Sequence, residues 1–439
     1  MLGCKLLSTN DGNCTCNFTG DNWKKFPGKG YTNGCLTYIN IPPITSLLKE
    51  EMLDAWKERW DMYRSDIRQA LGKSRATLIL GAGVSAPAKM PGWQGLISQM
   101  SGYAFQYRDY TGANPNRGAI EKATQERLLK LESELISDGL TIFNGVNVLE
   151  SAQYVEQLLN DSVRGNSNYE LTKAVISAII QNSETPEEFL KQWKIDNPDE
   201  NSKDLKSVAS GSSLCAVAYL LQAPRGFRRA LTYNYDSLVQ EYLLSIFGQP
   251  LDRIITHSEG WNPMEEKDSI NIFHVHGYIP RTKNCNKLPA FPRESQRIIL
   301  SEDSYYDTER YEAYNWQNSI QAFYLNRDTC VFVGFSAEDY NFRRILRQMG
   351  SNRNGDIAFK RPKHYLFLTI DSIVQDTWMN MCRRHLSREK TSYEEILSDT
   401  LTLLQLQLDA KATYWAKKGF YPIWVTINDI PSLLLSLVD

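Results

Sequence analysis

A short apolar run that ends abruptly in glycine constrains the fold of this chain more than any other feature. Residues 76–80 read Ala-Thr-Leu-Ile-Leu and are followed by Gly81, Gly83 and Ser85. Such a run is typical of a strand covered on both faces, as in a parallel sheet. Glycines after it let backbone N–H groups approach a phosphate, because no Cβ stands in the way. The usual dinucleotide-binding pattern has a third glycine where this chain has Ala86, so a plain tight turn is the alternative.

The composition indicates a folded and nearly neutral protein. Of the 439 residues, 42% are hydrophobic and 11% are aromatic, which is enough for one large core or two ordinary ones. The 49 Lys and Arg residues nearly balance the 51 Asp and Glu residues, so we expect no direct nucleic-acid binding. No apolar run reaches the length of roughly 18 residues that a membrane span needs, and the first residues do not resemble a secretory signal. We therefore expect a cytoplasmic protein without a membrane partner.

Four of the eight cysteines lie close together near the N-terminus. Cys4, Cys14, Cys16 and Cys35 occupy a segment rich in Gly, Asn and Thr. Four thiolates can close a tetrahedral zinc site, but this spacing contains a Cys-x-Cys and no Cys-x-x-Cys pair. We favour a loosely docked arm with free thiols over a zinc site, and we expect no metal. The remaining cysteines, which we predict to be small buried side chains, are Cys215, Cys285, Cys330 and Cys382.

The rest of the chain shows an interrupted α/β pattern. Helical periodicity predicts helices over 46–71, 94–100, 121–136, 148–159, 169–180 and 213–221, with a charged separator from 183 to 206. Apolar runs predict strands over 76–80, 229–232, 270–273, 329–333, 364–368 and 420–425. The sequence thus predicts a Rossmann-like parallel sheet of about six strands flanked by helices, with a large helical insertion at about 105–225.

Polar residues directly follow three of the later strands. Asn234 and Asp236 follow the second predicted strand, His276 follows the third, and Gly334 and Ser336 follow the fourth. In open parallel sheets, ligands bind beyond the carboxyl ends of the strands. We therefore expect these residues and the first glycine loop to converge on one crevice.

These segments together resemble a known family. They are Gly-Ala-Gly-Val-Ser at 81–85 with Pro-Gly-Trp at 91–93, Thr-Tyr-Asn-Tyr-Asp at 232–236, His-Val-His-Gly at 274–277, and Gly-Phe-Ser-x-x-Asp at 334–339. Their order and approximate spacing are similar to those of the sirtuin-like (Sir2-type) NAD+-hydrolysing domains of bacterial antiphage defence proteins. The resemblance covers about residues 46–439, which we expect to form one catalytic domain. Residues 1–45 resemble no family and are expected to form the N-terminal arm.

The resemblance implies a role for each matching residue. It implies a pyrophosphate-binding loop of Gly81, Ala82, Gly83 and Ser85, a further cofactor contact at Trp93, and an adenosine-side loop with Gly334, Ser336 and Asp339. Asn234 matches the asparagine that orients ribose and water, and Asp236 matches its neighbouring acid.

Several of these residues have a structural alternative. Asn234 and Asp236 are also good capping residues for a helix that begins near Ser237. His276 matches the catalytic base of the family, and an imidazole can accept a proton at cellular pH. His274 is the alternative base, or a hydrogen-bonded core histidine. Asp339 and Asn341 fit an adenosine contact and a helix cap equally well.

The resemblance implies NAD+ as substrate and leaves the acceptor of the ADP-ribosyl group to be decided. Deacylase sirtuins carry two Cys-x-x-Cys pairs for zinc after the catalytic histidine, whereas only Cys285, Cys330 and Cys382 follow His276 here. Water is therefore the favoured acceptor, which predicts an NAD+ glycohydrolase that depletes cellular NAD+ during phage infection. The alternatives are a protein deacylase or ADP-ribosyltransferase and a non-catalytic NAD or ADP-ribose sensor or scaffold. The resemblance also implies gating by homo-oligomerisation, by a phage trigger, or by a companion such as a hexameric ATPase or an Argonaute-like protein.

Overall fold

The described chain contains both helices and strands. The computed structural model describes residues 50–107, 148–161, 168–201, 203–257, 269–281, 298–305, 315–337, 339–351, 362–386 and 393–439. Its helices are α1 (Glu50–Gly72), α2 (Ala82–Ser85), α3 (Trp93–Tyr107), α4 (Val148–Asp161), α5 (Asn168–Gln181), α6 (Pro186–Asp196), α7 (Leu205–Ala209), α8 (Ser213–Gln222), α9 (Leu238–Ser245), α10 (Trp316–Arg327), α11 (Tyr340–Ser351), α12 (Asp371–Leu386), α13 (Tyr393–Ala416) and α14 (Ile430–Leu435). Its strands are β1 (Ala76–Leu80), β2 (Arg229–Thr232), β3 (Ile254–His257), β4 (Ile270–His274), β5 (Thr329–Val333), β6 (His364–Thr369) and β7 (Phe420–Val425).

The strands form one seven-stranded sheet in the order β3-β4-β2-β1-β5-β6-β7. The neighbouring strands β3·β4, β4·β2, β2·β1, β1·β5 and β5·β6 all pair in parallel. Strand β1 is buried along its whole length. After β1 the chain builds one side of the sheet through β2, β3 and β4 before it returns to the other side with β5. The strand order therefore reverses between β1 and β5, which is the position where open α/β sheets bind ligands. The predicted Rossmann-like α/β fold is confirmed.

The prediction of about six strands missed β3. All six predicted strands are present, and β3 is added at the edge of the sheet beside β4. Its four residues read Ile-Ile-Thr-His, and only Ile254 is fully buried. So short a run carries little periodicity, because pairing with β4 rather than its own pattern makes it a strand.

The described residues divide into two compact units, and the division falls inside β6. Among the described residues, one unit comprises 50–63 together with those between 368 and 429. Its core packs the aromatic side chains Trp378 and Trp424 against apolar residues of α12 and α13. The other unit comprises 64–367 together with 430–439 and contains β1 to β5. The expected boundary between an arm at 1–45 and a domain at 46–439 stays a prediction, and the four N-terminal cysteines lie outside the described residues.

The predicted insertion is helical wherever it is described. Its segments 148–161, 168–201 and 203–225 contain α4 to α8 and no strand, while the helix predicted over 121–136 lies outside the described residues. Apolar side chains of α3, α4 and α5 form a common core that also includes Tyr235 and Ile279, which lie in the loops after β2 and β4. The helical layer therefore supports those two loops directly.

The separator predicted between 183 and 206 is wrong, because α6 and the beginning of α7 lie within it. Thr185 accepts a hydrogen bond from the backbone N–H of Glu188, and the Glu188 carboxylate accepts one from the N–H of Thr185, which is a complete capping box. Pro186 occupies the first turn, where its missing N–H costs nothing. Phe189 and Trp193 bury one face of α6. The high charge of the segment concealed these start signals.

Two further sequence-based points concern cysteines and membranes. Cys215, Cys330 and Cys382 are buried, as predicted, whereas Cys285 lies outside the described residues. Within the described ranges, no helix combines the length and the apolar character that crossing a membrane requires.

Candidate functional site

The loops that follow β1 and β5 pack backbone against backbone. The N–H of Gly81 donates to the carbonyl of Val333 over 3.1 Å, and the N–H of Gly83 donates to the carbonyl of Gly334 over 2.9 Å. A Cβ on Gly81 would lie 2.5 Å from the Gly334 oxygen, and one on Gly334 would lie 2.3 Å from the nitrogen of Val84. Gly334 also has a φ of +61°, a left-handed conformation that favours glycine. These glycines are therefore required for the close approach of the two loops.

This arrangement bears on the predicted pyrophosphate site. Gly81 and Gly83 already donate their N–H groups within the protein, so the loop as placed here does not offer those two groups to a phosphate. Ala82 is exposed on the same loop, and Ser85 is buried at its end. Contact between this loop and a pyrophosphate stays a prediction.

Ser85, Asn234 and Asp236 form one hydrogen-bonded group. The Asn234 side-chain amide donates to the carbonyl of Gly81 over 3.1 Å and to the hydroxyl of Ser85 over 3.0 Å. The Ser85 hydroxyl donates in turn to Oδ2 of Asp236 over 3.0 Å. Oδ1 of Asp236 accepts the N–H of Leu238 at the start of α9 over 3.1 Å, so this residue both contacts Ser85 and caps a helix. The loops after β1 and β2 are thereby joined, as the sequence predicts.

Burial shifts the ionisation of Asp236. The carboxyl lies almost completely out of solvent, and this desolvation raises its pKa from 3.8 to about 6 despite the hydrogen bonds it accepts. Asp236 is therefore an anion at neutral pH that becomes protonated only slightly below neutrality.

His276 lies in a buried aromatic environment. Its ring meets Tyr233 edge to face at 4.8 Å between centroids and Tyr305 in the same manner at 5.6 Å. Nε2 lies 3.6 Å from Oδ2 of Asp339 and has no hydrogen-bond partner in the part of the chain that the structure describes. Burial lowers the pKa of His276, and the Asp339 charge opposes that shift only in part. The imidazole is therefore neutral at cellular pH, which is the form that accepts a proton.

His274 is hydrogen-bonded through both ring nitrogens. Nδ1 lies 3.0 Å from the carbonyl oxygen of Asn234, and Nε2 lies 2.8 Å from the side-chain nitrogen of Gln240. Because a carbonyl oxygen can only accept, Nδ1 carries the hydrogen, and Nε2 accepts from the amide. Burial lowers the pKa of His274 to about 4. His274 therefore matches the alternative of a hydrogen-bonded core histidine. Its hydrogen bond to the Asn234 carbonyl also holds the backbone of Asn234 in place.

The last predicted loop carries Asp339 and Asn341 at the start of α11. Oδ1 of Asp339 accepts the N–H of Phe342 over 2.8 Å, which is a helix cap. Asn341 is buried and donates to Asn318 over 2.7 Å. Both side chains therefore have structural roles, and an adenosine contact of Asp339 stays a prediction. Ser336 is exposed on the loop between β5 and α11.

Trp93 begins α3 and lies on the helical side of the site. Its ring is 6.4 Å from that of Tyr235, and it packs against the core formed by α3, α4 and α5. The ring is therefore partly buried, and its predicted contact with the cofactor stays a prediction.

A comparison with known protein families finds a match, and it covers the loops of the site that follow β2, β4 and β5. Residues 228–389 match the SIR2-like domain family, a range that includes Asn234, His276 and Asp339. Residues 228–389 are therefore similar to a Sir2-type domain. Domains of this family bind NAD+ and are typically enzymes. The match therefore supports an NAD-related function for this chain. No curated protein matches the chain.

The sequence did not reveal a buried ion pair that lies within residues 228–389. Nε of Arg281 lies 3.3 Å from Oε2 of Glu241, and both side chains are almost fully buried. The Arg281 guanidinium also donates to the carbonyl of Ser183 over 2.8 Å and to its hydroxyl over 2.6 Å, at the end of the segment after α5. Oε1 of Glu241 accepts the Ser237 hydroxyl. Glu241 follows the Asn-Tyr-Asp motif closely, but Arg281 is distant in sequence and lies in no motif.

Proposed function

We propose that this protein is an NAD+ glycohydrolase. In the proposed reaction, the bond between the nicotinamide nitrogen and the ribose carbon breaks, and that carbon forms a new bond to the oxygen of water. The products are nicotinamide and ADP-ribose, and the proton lost by water goes to His276. Positive charge develops on the sugar as the bond breaks, so polar groups placed around it lower the barrier.

The observation that carries this proposal is a buried, neutral His276 whose Nε2 has no hydrogen-bond partner among the described residues. Nearly all other buried polar side chains in proteins are hydrogen-bonded, so an imidazole ring that is not fixed by a hydrogen bond at this nitrogen is a candidate for a catalytic role. Strand register supports its pairing with Asn234. Thr232 of β2 lies opposite His274 of β4, and Asn234 and His276 each follow two residues later. Both therefore emerge at the same edge of the sheet.

The choice of water as acceptor rests on the cysteine pattern. The family members that transfer ADP-ribose to an acyl-lysine carry two Cys-x-x-Cys pairs after the catalytic histidine. This chain has no such pair after His276. Of the three cysteines that follow, Cys330 and Cys382 are buried as single side chains. A peptide channel built on zinc is therefore not expected, and water is the simplest acceptor.

We further propose that the enzyme acts in the cytoplasm as an antiphage effector that depletes NAD+. Such an activity is toxic when it is always on, so it needs a gate. Assembly into a homo-oligomer, a phage-derived trigger or a companion defence protein, such as an ATPase or an Argonaute-like protein, would each supply one. The resemblance in the sequence motifs is the support for this role.

Nicotinamide release by the purified protein tests the reaction. We expect wild type to release nicotinamide and ADP-ribose in equal amounts, and His276→Ala to lose about 10²- to 10⁴-fold in rate, the range typical of a lost general base. His257→Gln, on the edge strand β3, is the histidine control and should retain activity. Urea unfolding of each variant shows whether the loss reflects misfolding.

The product distribution separates the alternatives. Cleavage that requires an acylated peptide would indicate a deacylase, and label transferred from NAD+ to protein would indicate an ADP-ribosyltransferase. A cellular effect that survives His276→Ala and Asn234→Ala would indicate a sensor or scaffold. Any of these results would overturn the glycohydrolase proposal.

A further inference from the structure

The carboxylate of Asp339 is held in place by two hydrogen bonds beside the His276 ring. Oδ1 accepts the N–H of Phe342 at the start of α11 over 2.8 Å. Oδ2 accepts the hydroxyl of Tyr305 over 2.8 Å. The same Oδ2 lies 3.6 Å from Nε2 of His276. A helix cap and a phenol therefore fix the position of a negative charge that faces the imidazole.

Tyr305 links this carboxylate to the ring from a second direction. Its side chain is buried and meets the His276 ring edge to face at 5.6 Å. Its hydroxyl is the donor to Asp339, so one side chain both packs against the imidazole and orients the carboxylate. Tyr233 covers the ring from another side at 4.8 Å.

We propose that Asp339 is a positioning residue for His276, held by Tyr305 and by the first turn of α11, and that its charge selects which ring nitrogen accepts the proton. The 3.6 Å separation is too long for a hydrogen bond, so the carboxylate acts through its charge. A nitrogen lone pair that faced a carboxylate would be repelled, whereas an N–H is attracted. The hydrogen of the neutral ring therefore lies on Nε2, and Nδ1 is the proton acceptor. This inference rests on the glycohydrolase proposal for its catalytic meaning.

The charge that acts on His276 comes from Asp339 among the described residues that face it. The other titratable groups against the ring are Tyr233 and Tyr305, and burial raises the pKa of both well above the usual value, so they are neutral. Burial lowers the pKa of His276, and Asp339 raises it. Removing the charge while retaining the cap should therefore lower the pKa of His276 further.

Nuclear magnetic resonance of the histidine rings tests this without any activity assay. The chain has 5 histidines, so selective ¹³C and ¹⁵N labelling gives few signals, and that of His276 is identified by its loss in His276→Ala. We expect wild-type ¹⁵N shifts typical of a ring protonated at Nε2. In Asp339→Asn, which keeps a side chain suited to capping, the His276 titration should move to lower pH. Asp204→Asn is the matched control, because Asp204 caps α7 in the same way.

A second variant separates charge from packing. Tyr305→Phe removes the hydroxyl but keeps both the ring and the Asp339 charge, so the His276 titration should not move to lower pH. Equal downward shifts in the two variants, or no shift in Asp339→Asn, would overturn the proposal, as would a wild-type ring protonated at Nδ1.

Kinetics then connect the ring to the reaction. We expect Asp339→Asn and Tyr305→Phe to lower kcat for NAD+ cleavage with little change in KM, and Asp339→Glu to recover part of the loss. A change confined to KM would instead assign Asp339 to NAD+ binding and overturn the positioning role. If neither wild type nor any variant releases nicotinamide but the His276 titration still moves to lower pH in Asp339→Asn, the glycohydrolase proposal fails. The proposed effect of Asp339 on the His276 ring then stands.

Discussion

Two buried ionisable side chains of the site are shifted in opposite directions by the same cause. Burial raises the pKa of Asp236 to about 6 and lowers the pKa of His276, because desolvation disfavours the charged form of each. The hydrogen bond from Ser85 and the charge of Asp339 oppose these shifts only in part. At neutral pH the site therefore holds an anionic carboxyl and a neutral imidazole, the two forms that stabilise a developing cation and accept a proton.

The stability of Asp236→Asn relative to wild type should rise with pH. The folded-state pKa of about 6 is above the usual 3.8, so the contribution of Asp236 to stability is fully present below pH 3.8 and is lost as the pH rises through 6. Relative to wild type, the variant should therefore gain on the order of 3 kcal/mol in free energy of unfolding between pH 4 and pH 8, the equivalent of the roughly two-unit shift. Urea unfolding across this range measures the gain. A difference that does not change with pH would contradict the buried-carboxyl account.

The residues of the site were predictable to different degrees. The motifs placed Asn234, Asp236 and His276 at the ends of neighbouring strands, and strand order brings them to one edge of the sheet. The sequence could not distinguish His274 from His276 by strand pattern. The two differ in their partners, since Gln240 and the carbonyl of Asn234 occupy His274, and such contacts between distant residues leave no local signal.

At the level of elements, the junction of the loops after β1 and β5 depends on glycine for steric reasons. Sequence reasoning recognised Gly81 and Gly83 but explained them by access to phosphate. The structure shows that Gly334 lies against them, with N–H groups of the first loop donating to the carbonyls of Val333 and Gly334. A glycine pattern alone cannot tell close approach to a ligand from close approach to another loop.

Gly334→Ala should therefore be much more destabilising than a glycine substitution with the same backbone conformation. Gly248 also has a φ of +61°, but no atom of the described residues lies within 4 Å of an added Cβ, so Gly248→Ala measures backbone strain alone, about 1 kcal/mol. In Gly334→Ala the Cβ would also clash with the backbone of Val84 at 2.3 Å, which cannot yield as a flexible side chain would. Urea unfolding of both variants makes the comparison. Equal losses would show that the two loops separate easily.

The ion pair between Arg281 and Glu241 joins α9 to the helical layer. Glu241→Ala would leave the buried guanidinium without its anion, and we expect a loss of about 3–5 kcal/mol in free energy of unfolding. Glu187→Ala, in the first turn of α6, removes an exposed carboxylate and should change stability by less than about 0.5 kcal/mol. Chemical denaturation at neutral pH gives both values. A loss in Glu241→Ala no larger than that of the control would show that the pair contributes nothing net.

The elements that the sequence missed share one property. β3 and α6 are short or highly charged, and each is defined by a partner or a cap rather than by its own periodicity. The apolar strands were predicted from their continuous apolar runs. The helices α4, α5 and α8 were predicted because a helix that buries one face has apolar residues at regular spacing. Local signals therefore specified six of the seven strands, and pairing with β4 specified the edge strand β3.

At the scale of the whole molecule, the candidate site belongs to one compact unit. The loops after β1, β2, β4 and β5 all lie within residues 64–367, and the SIR2-like match at 228–389 covers the last three of them. The net charge of −2 gives no strong self-repulsion, so association of the chain with itself is not opposed by long-range electrostatics. The net charge is therefore compatible with the proposed regulation by self-association.

Bound NAD+ should selectively protect the backbone amides in the loops of that unit from hydrogen exchange. His276→Ala is the protein to use, because it should bind NAD+ without consuming it. Ligand at about 100 times its Kd stabilises the bound state by about 2.7 kcal/mol, so amides that exchange through opening of the site should slow by about 100-fold. We expect this slowing in peptides that cover 81–90, 233–238, 275–281 and 334–339, with GTP at the same concentration as the control. Mass spectrometry after exchange locates the protection. Protection confined to α12 and α13, or equal effects of GTP and NAD+, would contradict NAD+ binding beyond the carboxyl ends of these strands.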